Sequence, residues 1–167
     1  PLLLGAILSV GSPDGTVSLR ITEVEAYHGS DDPGSHAFRG KTNRNAVMFG
    51  EPGHLYTYFT YGMHTCANVV CGPEGQASGL LLRAGEIVEG IELARERRRT
   101  SRVDADLARG PARLAVALGI TLADGGLDLA SGRVRLELGA GERRYSTGPR
   151  TGVSGSGGTA EFPWRFW

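Results

Sequence analysis

From Val17 onward apolar and polar residues alternate, and the alternation sets Val17, Leu19, Ile21, Glu23, Glu25 and Tyr27 on one side of an extended chain, since side chains return to the same face at every second residue. A strand over residues 16–27 is predicted, with one face that begins as core and ends in two carboxylates and an aromatic ring. An unpaired buried carboxylate is costly, so this strand either emerges into a cleft or meets a cation. Ahead of it, residues 2–10 are an apolar segment, helix or strand, closed by the turn-forming Gly11-Ser12-Pro13-Asp14-Gly15. Behind it, residues 28–34 read as a surface loop with His36 just beyond. Arg39, Lys41, Thr42, Asn43, Arg44 and Asn45 then form a basic, hydrogen-bonding run before Met48-Phe49. The plain reading of that run is a solvated loop, and the functional one a phosphate contact.

Glu51-Pro52-Gly53 breaks the chain, and the aromatic, β-branched run from His54 to Tyr61 reads as a strand with Tyr56 and Tyr58 on one face and Leu55, Phe59 and Tyr61 on the other. Tyr61-Gly62-Met63 is predicted as a hairpin turn and residues 64–71 as the returning strand, with Asn68 in its middle. Aromatic stripes usually pack in a core, but an aromatic at a hairpin tip lies on the surface. Residues 78–84 form another strand, whose apolar run ends in Arg83, a candidate cation for Glu25. Residues 86–99 read as a helix, with Ile87, Ile91 and Ala94 at helical spacing and a basic end. Gly110-Pro111 opens a second helix that runs to Leu118 and stops at Gly119. A short strand at 134–138 and a flexible Gly/Ser segment at 154–158 complete the chain.

Length and composition narrow the function. At 167 residues, 40% hydrophobic and 22% charged, the chain suits one domain spanning 1–167, and no apolar run is long enough to cross a bilayer. It opens at Pro1 without a Met, which reads as a trimmed boundary. Cys66 and Cys71 make no disulfide framework and fit a reducing cytoplasm. His28, His36, His54, His64 and the cysteines lack a recognised ligand spacing, so no metal and no cofactor are expected. Net charge is zero but uneven: residues 1–38 hold only Arg20 against Asp14, Glu23, Glu25, Asp31 and Asp32, and all but one of the 18 basic residues are Arg. Arg forks match phosphate oxygens, and a phosphate-binding face needs local rather than global positive charge.

The runs Glu23-Val24-Glu25-Ala26-Tyr27, His36, Arg44-Asn45, Met48-Phe49, Pro52-Gly53, Leu55-Tyr56-Thr57-Tyr58, Tyr61-Gly62-Met63, Cys66-Ala67-Asn68, Leu81-Leu82-Arg83-Ala84, Gly110-Pro111 and Gly148-Pro149-Arg150 resemble, in order and spacing, the alkyladenine (3-methyladenine) DNA glycosylases over nearly the whole chain. The resemblance implies an α+β fold, a compact mixed domain with a curved antiparallel sheet flanked by helices and a protruding β-hairpin that inserts into DNA. It implies a monofunctional base-excision repair enzyme that flips alkylated or deaminated purines out of duplex DNA and hydrolyses the N-glycosidic bond with water. In that reading Glu25 is the general base and Arg83 holds it, with the Val153 carbonyl helping to place the water. Tyr27 and Tyr58 sandwich the purine, His36 bonds its edge, and Asn68 rejects guanine by clash. Tyr61 and Met63 intercalate, and Lys41, Thr42 and Arg44 contact the backbone. The only lysine, Lys41, lies in a loop, so no lysine attack on the sugar is expected. The partner is double-stranded DNA containing a damaged purine, with no membrane. The protein is expected to act as a monomer in the cytoplasm, at the nucleoid if bacterial.

Three rival readings compete. A sugar glycosidase would use Glu23 and Glu25 as paired acid and base, since residues two apart on a strand are separated by roughly 6–7 Å; it leaves the hairpin tip and basic loop unexplained. A metal hydrolase lacks a ligand set. A non-catalytic nucleic-acid-binding module that stacks bases on its tyrosines needs no Glu at the pocket.

Overall fold

The structure, a computed structural model, describes residues 2–139 and 144–167; the boundary expected at Pro1 lies outside them. β1 (Ile7–Ser12) turns at Ser12 into the long β2 (Gly15–His28), where the Ser12 hydroxyl donates to the Gly15 carbonyl at 2.9 Å. β3 (Leu55–Thr60) and β4 (His64–Val69) form the predicted hairpin, and β5 (Ser78–Glu89) is the second long strand. With the short β6 (Val134–Glu137) the order across the sheet is β3-β4-β5-β2-β1-β6, all antiparallel. β7 (Thr147–Gly148) and β8 (Arg165–Phe166) pair with each other, and β8 also pairs with β2 at Val24 and Glu25. The expected α+β architecture is therefore present, with its hairpin.

The central β2–β5 ladder is irregular around Glu23. Ile21 pairs with Gly85, Glu23 with Ala84 and Val24 with Leu82, so the register shifts on both sides of Glu23. A bulge adds a residue to one strand, bends it and re-aims the side chains beyond the extra residue. Ile21 and Val24, three positions apart, both enter the main core. The expected unbroken face from Val17 to Tyr27 is thus corrected: beyond the bulge, Glu23 and Glu25 leave the core face occupied by Val17, Leu19 and Ile21 and turn to the opposite side of the sheet.

Two helices cover the core face. α1 (Ile91–Arg97) and α2 (Pro111–Leu118) pack on each other and on β2 and β5, burying Ala94, Leu114, Ala115 and Leu118 against Leu19, Ile21, Val24 and Leu82. The helix predicted over 86–99 is shorter than expected. Residues 86–89 extend β5, where Glu86, Ile87 and Glu89 pair with Arg20, Leu19 and Ser18. The β-branched Ile87-Val88 pair favours the strand. Gly90 then makes the break: its φ is 71°, and a Cβ there would collide with the Thr16 carbonyl. α2 begins and ends as the sequence indicates, at Gly110-Pro111 and at Gly119, whose φ is 72°. A second, smaller core of Ala37, Met48, Tyr56, Val70 and Ala77 carries Phe49 and Tyr58 on its margin.

Candidate active site

A cavity of about 480 Å³ is lined by the loop around His36, the β3–β4 hairpin, β5, the start of α2 and residues 151–154. Tyr27, His36, Tyr58, Tyr61, Asn68 and Arg83, six of the residues singled out from sequence, all line it. Glu25 does not. It lies behind Tyr27 and Arg83 with no exposed surface, and three donors meet its carboxylate. The Tyr27 hydroxyl donates to Oε2 at 2.9 Å, Arg83 Nη1 donates to the same oxygen at 3.3 Å, and the Thr151 backbone N–H donates to Oε1 at 2.6 Å. These three bonds, one of them from a cation, satisfy the polar atoms of the buried carboxylate. Arg83 also donates through Nε to Glu23 Oε1 at 2.9 Å, and Arg165 Nε reaches that oxygen at 2.7 Å. The two carboxylates that the alternation placed side by side therefore share one arginine. Glu23 belongs to an ion-pair network rather than to the cavity lining.

The aromatic walls are backed from behind. The Arg150 guanidinium lies over the Tyr27 ring at 4.5 Å from its centroid. Burial, and next the Glu25 charge, push the Tyr27 phenol far above its ordinary value, which keeps it a protonated donor. Across the cavity Tyr58 stacks on Tyr56 with centroids 5.7 Å apart, and the His36 ring meets Tyr58 edge-on at 4.5 Å. The Tyr58 phenol is also pushed up, by burial first and then by Cys66. Burial, with the Arg44 charge adding to it, holds the His36 imidazole below its usual value, so the ring is neutral at neutral pH. Its Nδ1 lies 3.2 Å from the Tyr56 hydroxyl. Asn68 is buried, and its Nδ2 donates to the Tyr56 carbonyl at 3.2 Å, which fixes how its amide is presented.

The hairpin tip stands clear of the body, with Tyr61 81% and Met63 68% exposed. Tyr61 adopts a φ of 51°, the only positive value among the described non-glycine residues. The basic loop is built around Asn45, whose buried amide donates to the carbonyls of His36 and Gly40 and accepts from the Thr42 N–H. Arg44 donates to the Phe59 carbonyl at 2.9 Å, tying the loop to the hairpin, and Lys41 lies 5.7 Å from the centre of the Phe49 ring. Both cysteines are free, Cys66 in the cavity wall and Cys71 exposed. Among the described residues no three His, Cys, Asp or Glu side chains converge as a metal site, and no helix is long and apolar enough to cross a membrane.

Sequence reasoning missed the pair that braces this wall. Asp32 and Arg150, 118 positions apart and fully buried, meet through two bonds of 2.6 Å. Arg150 also donates to the carbonyls of Ala26 and Gly157, and its guanidinium lies near Phe162 and Trp164 as well as Tyr27. Gly34 packs against Arg150, and Gly157 against the Gly34 backbone, so closely that neither has room for a Cβ. In the Gly/Ser segment at 154–158, Gly157 is buried and the Val153 carbonyl abuts Gly158, while Ser154, Gly155 and Ser156 are exposed. The available signal was Gly148-Pro149-Arg150 together with Asp32, but separation in sequence hides such a partnership.

Comparison with known proteins bears on this arrangement. A model of the family described as Methylpurine-DNA glycosylase matches residues 1–167. A protein of Leifsonia xyli is 63% identical over 172 residues, covering 100% of this chain and 81% of its own length, and one of Streptomyces avermitilis is 58% identical, covering 100% and 80%. A third, from Nocardia farcinica, is 51% identical over 174 residues. All three carry the name "Putative 3-methyladenine DNA glycosylase".

Proposed function

The chain belongs to the methylpurine-DNA glycosylase family, and from that membership we propose that it removes alkylated or deaminated purines, of the 3-methyladenine, hypoxanthine and ethenoadenine class, from duplex DNA. The observation that carries this reading is the buried Glu25 carboxylate, gripped by Tyr27, Arg83 and Thr151 directly behind a tyrosine-walled cavity. A base inside the stack is out of reach, so the nucleotide is extruded, at a cost of about a few kcal/mol. Tyr61 and Met63 fill the gap that it leaves. Lys41, Thr42 and Arg44 contact the backbone beside them, and the bond from Arg44 to Phe59 keeps that charge next to the wedge.

Tyr27 and Tyr58 sandwich the extruded purine, each backed on its other face, with stacking worth roughly 1–3 kcal/mol per base. His36 bonds the purine edge, and Asn68 excludes the exocyclic amino group of guanine. As the glycosidic bond lengthens, positive charge develops on the sugar, and the Glu25 carboxylate, enclosed behind Tyr27 and Arg83 in the unliganded fold, stabilises it and takes a proton from the attacking water once that cover opens. Arg83 keeps that carboxylate in place. Water, not a lysine, is the nucleophile: the only lysine, Lys41, sits against Phe49 in the loop. The enzyme is therefore monofunctional.

The test is incubation with duplexes carrying one hypoxanthine, ethenoadenine or methylated adenine. Free base should be released, with the strand broken only after alkali. A nick before alkali would overturn the water mechanism, and no released base from any lesion would overturn the activity.

A further inference from the structure

The connector between α1 and α2 and its flanks carry a dense run of arginines, several of which are held by ion pairs or hydrogen bonds close by. Arg95 is held by Asp104 and Glu92, Arg97 donates to the Ala117 carbonyl and Ser12, and Arg98 reaches the Leu107 carbonyl and Asp106. Arg113 takes Asp106 from the other side, and the Ser101 hydroxyl also donates to that carboxylate. Asp106 thus already serves Arg98, Arg113 and Ser101. Arg102 and Arg109 are different: both are exposed, and among the described residues neither guanidinium has an ion-pair or hydrogen-bond partner.

These two arginines are placed together. They line a shallow depression of about 370 Å³ with Thr100, Val103, Ala105 and Asp106. Arg109 also lines the main cavity, so the depression adjoins its mouth. Val103 is 62% exposed there and offers an apolar surface. Thr100 accepts a bond from Arg98 and keeps its own O–H to donate.

We propose that Arg102 and Arg109 grip the phosphodiester backbone of the duplex flanking the extruded nucleotide, with Val103 against a deoxyribose. This rests on the reading of the protein as a DNA glycosylase. The depression is open, which suits a passing backbone rather than an enclosed small anion. Unpaired guanidinium groups supply the forked donors that phosphate oxygens take. Continuity through Arg109 sets this grip on the α2 side of the cavity, whereas Lys41, Thr42 and Arg44 lie on the hairpin side. A duplex whose nucleotide enters the cavity would then be held on both flanks, although the net charge of the chain is zero.

Salt dependence tests it, because each neutralised phosphate contributes about 0.9 to the slope of log affinity against log salt. Binding to a duplex with a stable abasic-site analogue is measured over a salt series for wild type, Arg102→Ala, Arg109→Ala and the double variant. The control is Arg135→Ala, an exposed arginine of β6 that lines neither depression nor cavity. The slope should become shallower by about one unit per connector arginine and about two in the double variant. Arg109→Lys should restore most of it, and Arg135→Ala should match wild type. An unchanged slope in the double variant, or an equal loss in Arg135→Ala, overturns the proposal. Base release by the wild type, followed in parallel, reports separately on the glycosylase reading, since a protein that binds with the expected slopes but releases nothing keeps the grip and loses the enzyme.

Discussion

Glu25 is a residue whose environment is more informative than its position. Fully buried, it would be expelled or neutralised without partners, and its three donors come from three separate stretches of chain: Tyr27, Arg83 and Thr151. Two of these were legible. Tyr27 and Glu25 share a strand face, and Arg83 ends an apolar run that could lie opposite. The backbone N–H of Thr151 was not legible, because a main-chain donor leaves no mark on the sequence. In this arrangement Tyr27 has two separable parts, a ring facing the cavity and a hydroxyl facing Glu25. Tyr27→Phe keeps the first and deletes the second. A hydrogen bond to a charged group is worth about 1.5–3 kcal/mol, so single-turnover base release should fall by about 10-fold or more while affinity for an abasic duplex stays near wild type. A rate equal to that of wild type would remove the hydroxyl from the machinery.

At the scale of elements, the hairpin and α2 were readable because local chemistry decides them: an aromatic, β-branched run around Tyr61-Gly62-Met63, and a Gly-Pro start with a Gly stop. The stretch at 86–89 misled because Ile87, Ile91 and Ala94 have helical spacing, while pairing with β2 in the middle of the sheet overrides that local signal. The bulge at Glu23 was invisible for the same reason, since register belongs to two strands at once. The hairpin tip also stores strain. Tyr61 sits at a φ of 51°, a conformation costing about 1–2 kcal/mol for a residue with a side chain. Tyr61→Gly relieves that strain and removes the ring proposed as the wedge. Its Tm should hold or rise while excision from duplex DNA falls, as thermal unfolding and lesion-release assays would show. A lower Tm with intact excision would mean that the ring serves the fold, not the DNA.

Across the whole molecule, the Asp32–Arg150 pair joins the loop after β2 to the segment before β8 and supports Tyr27 from behind. Breaking a buried pair by removing one partner costs about 3–5 kcal/mol, and Asp32→Asn should lower stability by that order in urea unfolding at neutral pH. Burial alone would raise the Asp32 carboxyl, but the Arg150 bonds, with the N–H groups of His28 and Gly34, outweigh it and hold it below the usual range. A depressed folded value means that this stability is present above the unfolded pKa of about 3.9 and is lost as pH falls from there through the folded value. Asp32→Asn should therefore show a shallower loss than wild type as pH falls below about 4; parallel curves in that range would exclude this linkage. Glu25 is the group proposed to drive bond cleavage. Single-turnover release from a hypoxanthine, ethenoadenine or methyladenine duplex, compared between wild type and Glu25→Gln, tests it most directly, alongside binding to an abasic duplex. The expected result is a loss of release of about 10²-fold or more, the scale of general base catalysis, with binding retained. Release by Glu25→Gln at the wild-type rate would contradict it, and binding without release in both proteins would leave a base-stacking module in place of an enzyme.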